Sequence, residues 1–418
     1  CDAFFASVEQ ALHPELKGRP VVTGKERGIA AAMSYEAKAR GITRGMRLFE
    51  IRRVCPEAVI LPSDYETYSL ISERLMTILR RFTPQVEAFS IDEAFADLSG
   101  LRRLHRTSYE GIARRMQETA QEELGIGISA GLGPTKTLAK ICSKEKKPRG
   151  FCCVRGYELQ NFLPNIPVGR VSGIGPASVA LLEKYGVRTA WDYVNRPLFQ
   201  IKKLLGKVGA ELWHELRGEA VYSVIESGAV PPASISKAKT FTPPSEKRAF
   251  VMAQALRNTE SAFIKLRRHG LRTGMIGVML RDKDYCSQAL AADLRYPTAA
   301  TQEAASVVSR IVGELFRAGT RYRQTTVFLA RFSAASERQG DLFEDSARVR
   351  QLERLSVCVD EVNRAYGKHC LHLASTTPVD GFGKHLGERG DRPGRLEGLL
   401  PGETARQRIG IPLWDLRI

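Results

Sequence analysis

Eight cysteines are scattered through the 418 residues, at positions 1, 55, 142, 152, 153, 286, 358 and 370, and no two form a C-x-x-C pair. No Cys/His group has zinc-ligand spacing, so a zinc finger or ribbon is excluded. Free thiols in a reducing compartment are the expected state. Histidine is equally scarce, with 7 residues. None stands near a candidate nucleophile, so nothing indicates a Ser/His or Cys/His hydrolase. No run of about 18 apolar residues occurs, and no membrane-spanning helix is expected. No signal peptide and no tandem repeat are visible. What is abundant is positive charge: 63 Lys and Arg against 46 Asp and Glu, a net +17. That balance points to a polyanionic partner, nucleic acid before an anionic membrane surface. A merely solvated basic surface is the alternative. At about 100–200 residues per domain, the length allows roughly three or four domains.

Along the chain, Phe4 to Glu9 reads as the end of a buried strand running into a helix. Val21 to Thr23 and Ile29 to Met33 read as short strands around the turn Lys25-Glu26-Arg27-Gly28. Val86 to Leu98 is strand-like, with an acidic pair in its middle. Ser108 can cap a helix reaching about Leu124, with Ile112, Met116 and Ala120 on one face and Gly125 as its stop. Ile126 to Leu132 is a glycine-rich strand, and this order suggests a split βαβ sheet. From Pro167 to about Gly218 the signal is helical, and Pro231-Pro232 marks a linker. Between Ser234 and Ser333 the pattern mixes helices (Ala253 to His269, Thr301 to Ala318) with strands (Thr273 to Arg281, Thr325 to Phe332). Residues 380–407 are rich in Gly, Arg and Pro and read as irregular.

The candidate chemistry centres on Ser90-Ile91-Asp92-Glu93. Adjacent carboxylates in a strand point to opposite faces, so both serve one site only with help from a turn or bulge. An isolated Asp-Glu pair is usually a salt-bridged strand end. Here it lies among Phe89, Ile91, Ala94 and Phe95, where unpaired charge is costly. Hard divalent cations would offset that cost. Two such ions about 4 Å apart can clamp the attacking and leaving oxygens of a phosphoryl transfer.

With its neighbours, this segment resembles the carboxylate motif of the Y-family (translesion) DNA polymerases, of the bacterial polymerase IV and polymerase V catalytic-subunit type. Phe4-Phe5-Ala6-Ser7-Val8-Glu9 is similar to the start of that family's palm. Ser34-Tyr35-Glu36-Ala37-Lys38 resembles its fingers motif. Lys136-Thr137-Leu138-Ala139-Lys140, Ser143 and Lys147-Pro148 resemble its last palm motif. Gly173-Ile174-Gly175 resembles the thumb hairpin. Ser234 to Phe241 resembles the opening strand of the little finger. These matches are collinear and cover residues 1 to about 333.

The resemblance implies an α+β right hand: a βαβ palm (1–10 and 64–154), small fingers (11–63), a helix-hairpin-helix thumb (155–222), a linker (223–233), an α/β little finger (234–333) and a tail (334–418). It implies template-directed addition of deoxynucleotides to a primer 3′-hydroxyl, with low fidelity, lesion tolerance and no proofreading. It also implies a bacterial cytoplasmic location and a part in DNA repair and the SOS response. Two Mg²⁺ ions would be held by Asp92, Glu93, the Cys1 carbonyl and a third carboxylate on the residue before Cys1. Asp2, two positions on, is not the main ligand in the family and would lie near the metals. Phe4 and Phe5 would face the nucleotide, with Phe5 as the steric gate that rejects a ribose 2′-hydroxyl; the alternative for Phe5 is a core phenylalanine. Tyr35, Lys38 and Lys147 would hold the triphosphate. Lys38 stands where many members carry Arg, and Ala32 where some carry Thr. Gly173 and Gly175 would let backbone N–H groups approach a DNA phosphate. Lys237 and Lys239 would track the DNA backbone; guarding a sheet edge is their alternative.

Gln339-Gly340-Asp341-Leu342-Phe343 resembles the peptide that docks on the bacterial sliding clamp, through Gln339, Leu342 and Phe343. The tail ending, Arg408 to Pro412, is loosely similar to polymerase V catalytic subunits and suggests an accessory subunit. Two other readings stay open at this point: a non-catalytic DNA-binding or scaffolding relative of the same fold, and a metal-dependent nuclease using Asp92 and Glu93. A nuclease has no need of a triphosphate pocket.

Overall fold

The computed structural model describes residues 1–226, 231–335, 346–366 and 369–380. They divide into two compact units, one ending before and one starting after residues 227–230.

In the first unit, helix α1 (Phe4–Leu12) precedes β1 (Val21–Thr23), β2 (Ala32–Met33), α2 (Tyr35–Ala39), α3 (Leu48–Val54) and β3 (Val59–Leu61). The strands form a small sheet in the order β2-β1-β3, with β1 parallel to β3. Val22, Ala30, Met33, Ile42, Leu48 and Ile51 give this segment its own core. Only Ala32 and Met33 of the expected Ile29–Met33 strand are strand, because Ile29 makes an isolated bridge to Arg47 instead.

Next come α4 (Tyr65–Arg80), β4 (Val86–Ala88), β5 (Ala94–Ala96), α5 (Arg102–His105), α6 (Tyr109–Leu124), β6 (Ala130–Leu132), α7 (Lys136–Glu145) and β7 (Phe151–Cys153). Helix α6 matches the expectation: Ser108 accepts from the Gly111 N–H, Gly125 ends the helix at φ +67°, and Ile112, Met116 and Ala120 are buried. The strand expected from Val86 to Leu98 is instead a hairpin. β4 and β5 pair antiparallel, and the acidic pair sits in the turn between them. β6 and β7 pair parallel across α7, a βαβ unit. Only Ala130 to Leu132 of the expected Ile126–Leu132 strand pairs in this way. The chain's first residues stitch the ribbons together: Cys1 N donates to Asp92 O (2.6 Å) and Asp2 N to Gly127 O (3.0 Å). Gly131 allows α7 to lie directly on β6, since a Cβ there would stand 2.1 Å from Ala139 O and 2.2 Å from Ser143 N.

The helical segment holds α8 (Leu159–Phe162), α9 (Pro176–Lys184), α10 (Ala190–Asn195) and α11 (Leu198–Leu216). Glu215, fully buried near the end of α11, accepts from the N–H groups of Thr137, Val221 and Tyr222. This single carboxylate ties the start of α7 to the helical segment.

The second unit contains β8 (Ile235–Ser245), α12 (Arg248–Arg268), β9 (Leu271–Asp282), β10 (Ser287–Thr298), α13 (Thr301–Leu315), β11 (Tyr322–Ala334) and α14 (Ser346–Tyr366). An antiparallel sheet runs β10-β9-β11-β8. Its core joins Ile276, Val278, Val327 and Leu329 to Val251, Phe263, Val308 and Ile311 of the helices. Strand β10 carried no sequence signal, because its residues from Ser287 to Ala291 are all exposed and lack inward–outward alternation. The turn Ala374–Val379 docks on α12, and α14 is tied to the same unit by side-chain pairs to α12 and β9. Arg267 makes a two-pronged pair with Asp360 (2.6 and 2.7 Å), Arg272 pairs with Glu353 (2.9 Å), and Glu260 accepts from Leu373 N (2.6 Å).

Candidate active site

The Ser90–Glu93 turn solves the problem of adjacent carboxylates. Phe89 N and Ser90 N both donate to Glu93 O at 3.0 Å, closing the turn. The Ser90 hydroxyl donates to Asp92 Oδ1 (2.6 Å) and accepts from Asp92 N (3.3 Å). Asp92 and Glu93 are half-buried and both line a cavity of ≈ 170 Å³, together with Cys1, Lys140, Ser143 and Lys147. The apolar surroundings read from Phe89, Ile91, Ala94 and Phe95 are only partly formed: Phe89 is exposed, with the Lys140 ammonium 4.0 Å from its ring centroid.

Two lysines meet the acidic groups. Lys140 Nζ stands 2.8 Å from Glu93 Oε2 with its side chain 12% exposed. Lys147 Nζ donates to the Cys1 carbonyl (2.9 Å) and stands 3.3 Å from Asp2 Oδ1. Sequence reading assigned no role to Lys140, although it lies in the quoted Lys136–Lys140 motif. Asp2 is buried and is bonded by Ser129 and the Arg149 N–H.

On the other flank, Ser34 caps α2 by accepting from Ala37 N and also accepts from Val21 N. That fixes the helix carrying Tyr35 and Lys38 against β1. The Lys38 ammonium lies over the Tyr35 ring at 4.2 Å. Burial, and then the nearby Lys147 charge, lower the Lys38 pKa, against the opposing pull of Asp2. Burial and then Asp2 raise that of Tyr35. Lys38, Lys147, Tyr35 and Asp2 therefore share one electrostatic neighbourhood.

Phe5 is half-buried and stacks on Tyr68, centroids 4.4 Å apart and planes 14° apart, with Tyr65 edge-on at 5.5 Å. Tyr68 is locked by donating its hydroxyl to Glu9 at 2.5 Å. Glu9 is pushed above the usual carboxylate range by burial, against the Tyr68 hydrogen bond. This platform escaped sequence reading because Tyr65 and Tyr68 belong to another helix. Phe4 packs its ring into the core with Val8, Tyr68 and Ile126, so its side chain does not face a nucleotide, contrary to expectation.

Gly173 and Gly175 lie just ahead of α9. Gly173 needs to be glycine: its φ is +100°, and a Cβ would meet Leu212 at 3.2 Å. Gly175 is the N-cap residue and faces open space. In the second unit, Lys237 and Lys239 do share a strand face, the one that also carries buried Ile235 and Phe241. Burial, then Lys265 and Lys239, lower the Lys237 pKa. Gln339, Leu342 and Phe343 lie outside the described residues.

The donors at the turn are carboxylate and carbonyl oxygens, which suit a hard divalent cation. Among the described residues no group of three or more His, Cys, Asp or Glu stands together as a metal site. Asp92, Glu93 and the Cys1 carbonyl fit as part of a set.

Comparison with known proteins shows the family to which the chain belongs. The impB/mucB/samB family model matches residues 1–144, and the model of that family's C-terminal domain matches 232–342. A Y-family DNA polymerase chimera of Dbh and Dpo4 shares the fold, with TM-score 0.69, 24% identity, and coverage of 79% of this chain and 96% of that one. The DNA polymerase IV of Moorella thermoacetica is 34% identical over 90% of this chain and 94% of its own length. That of Caulobacter vibrioides is 32% identical over 83% of this chain and 86% of its own length. The class is thus the Y-family right-hand polymerase, with palm, fingers, helical thumb and α/β little finger. Within it the chain belongs to the DNA polymerase IV type, and it is a template-directed DNA polymerase acting in translesion synthesis. Membership implies a divalent-metal requirement, with primer–template DNA and deoxynucleoside triphosphates as substrates.

Proposed function

We propose that nucleotidyl transfer takes place at the Ser90–Glu93 turn, with Asp92, Glu93 and the Cys1 carbonyl as ligands of two Mg²⁺ ions. One observation carries this reading. The Cys1 backbone is bonded on one side to Asp92 and on the other to Lys147, which puts its carbonyl between the acidic turn and an ammonium group. When bound, the ions would supply activation of the primer hydroxyl and neutralisation of charge on the leaving oxygens. Lys147, Lys38 and Tyr35 bind the triphosphate, and mutual repulsion of the two lysines is relieved by an anion. Phe5, held flat by Tyr68, closes the space a ribose 2′-hydroxyl would need. Lys140 partly neutralises Glu93 and orients it.

The domain boundaries given above accompany this reading: palm 1–10 and 64–154, fingers 11–63, thumb 155–222, linker 223–233, little finger 234–333 and tail 334–418. Gly173 and Gly175 present backbone N–H groups to a DNA phosphate, and Lys237 and Lys239 add a second, sequence-independent grip. Gln339, Leu342 and Phe343 tether the enzyme to the bacterial sliding clamp, and an accessory subunit would bind through the tail. The working location is the bacterial cytoplasm. Polymerase relatives leave the scaffolding alternative without support.

The test is primer extension with Asp92→Ala and Glu93→Ala. Both variants should lose extension while keeping DNA affinity. Extension by Glu93→Ala at near wild-type rate overturns the assignment.

A further inference from the structure

Asp2 is an anion buried where the incoming substrate is itself a polyanion. Its side chain is 4% exposed. An unpaired carboxylate there would be costly and would repel a triphosphate. The protein surrounds it with two hydrogen-bond donors and one cation. The Ser129 hydroxyl lies 2.8 Å from both carboxylate oxygens, the Arg149 N–H donates to Oδ2 at 2.7 Å, and the Lys147 ammonium stands 3.3 Å from Oδ1. Two of the three come from one short segment, the loop between α7 and β7. Arg149 in that loop has φ +52°, a left-handed conformation that costs a non-glycine residue about 1–2 kcal/mol. The bond to Asp2 helps hold it there.

The same Lys147 ammonium donates to the Cys1 carbonyl at 2.9 Å. An ammonium has three N–H groups. The Cys1 carbonyl takes one of them and the Asp2 carboxylate lies within ion-pair distance, which leaves N–H capacity for a phosphate oxygen. We infer that Asp2 is a positioning residue: its carboxylate sets the Lys147 loop so that one ammonium spans the Cys1 carbonyl and the nucleotide. It touches neither substrate nor reacting atoms, and it acts through Lys147. This rests on the reading of Lys147 as a triphosphate contact, and the experiment separates the two.

The perturbation is Asp2→Asn in the polymerase bound to primer–template DNA. Asparagine keeps the size and one acceptor oxygen but removes the negative charge and turns the other oxygen into a donor. The Arg149 N–H, which meets Oδ2, and Lys147, which stands by Oδ1, can then no longer both be satisfied, and Lys147 loses its counter-charge. KM for the nucleotide should rise about tenfold with kcat changed less than about threefold, the size of coupling between contacting groups. Equilibrium nucleotide affinity on a dideoxy-terminated primer, where no chemistry occurs, should fall by the same factor. In a Lys147→Ala background Asp2→Asn should add little. An unchanged nucleotide affinity in Lys147→Ala overturns the triphosphate reading itself. A tenfold loss in Lys147→Ala, with Asp2→Asn silent or fully additive to it, overturns the positioning role alone. Thermal unfolding checks the fold. If Asp2→Asn does not fold, Ser129→Ala decides, because it keeps the carboxylate and removes one donor. A KM rise of about threefold with kcat held supports the inference, and an unchanged KM overturns it.

Discussion

Replacing Phe5 with Ala opens the space proposed to exclude ribonucleotides, and the structure sets the size of the effect. The ring stacks on Tyr68 at 4.4 Å and meets Tyr65 edge-on at 5.5 Å. A 2′-hydroxyl can enter only by overlapping the ring or by displacing it. Overpacking by one heavy atom costs about 1–3 kcal/mol. Displacement forfeits two aromatic contacts worth about 0.5–1.5 kcal/mol each, again about 1–3 kcal/mol. Tyr68 cannot retreat cheaply, since its hydroxyl is held by Glu9 at 2.5 Å. Either route gives the gate roughly 5- to 150-fold in kcat/KM against the ribonucleotide. Phe5→Ala should remove that factor while deoxynucleotide kcat/KM falls much less. The assay is single-nucleotide primer extension with matched deoxy- and ribonucleoside triphosphates, with thermal unfolding as the control for folding. Discrimination altered less than about threefold would refute the reasoning and return Phe5 to a packing role.

Three further outcomes follow from particular residues. Asp360→Ala strips the two-pronged partner from Arg267, whose side chain is 11% exposed, and should weaken docking of α14 by about 3 kcal/mol. Because α14 can release locally, the readout is amide exchange in residues 346–366, and unchanged protection would refute the estimate. Nucleotide affinity should depend on pH through Lys38: its lowered pKa means that charge is full below that pKa and lost as pH rises through it, earlier than for an ordinary lysine. Lys38→Arg, always charged, should flatten the profile, and an unaltered profile would rule out Lys38 as the titrating contact. Leu342→Ala with Phe343→Ala should leave extension on a bare primer unchanged and abolish stimulation by the sliding clamp, a gain that arises from tethering alone; full stimulation would sink the clamp assignment.

Local signals determined much of this protein before any fold was known. Ser108, the apolar spacing of Ile112, Met116 and Ala120, and Gly125 defined α6 to the residue, because caps and helical period act within a few positions. Six collinear motifs carried the family, and with it the candidate acidic pair, since those motifs are themselves local runs. The tertiary structure decided what lies far apart in sequence. Val86 to Leu98 reads as one strand, but closure of the turn by the Glu93 carbonyl makes it a hairpin and lets Asp92 and Glu93 line one cavity. Lys147 meets the Cys1 carbonyl across 146 positions, Tyr68 meets Glu9 across 59, and Arg267 meets Asp360 across 93. No periodicity or spacing encodes such pairs. They form because a buried charge or hydroxyl must find a partner wherever packing brings one within reach.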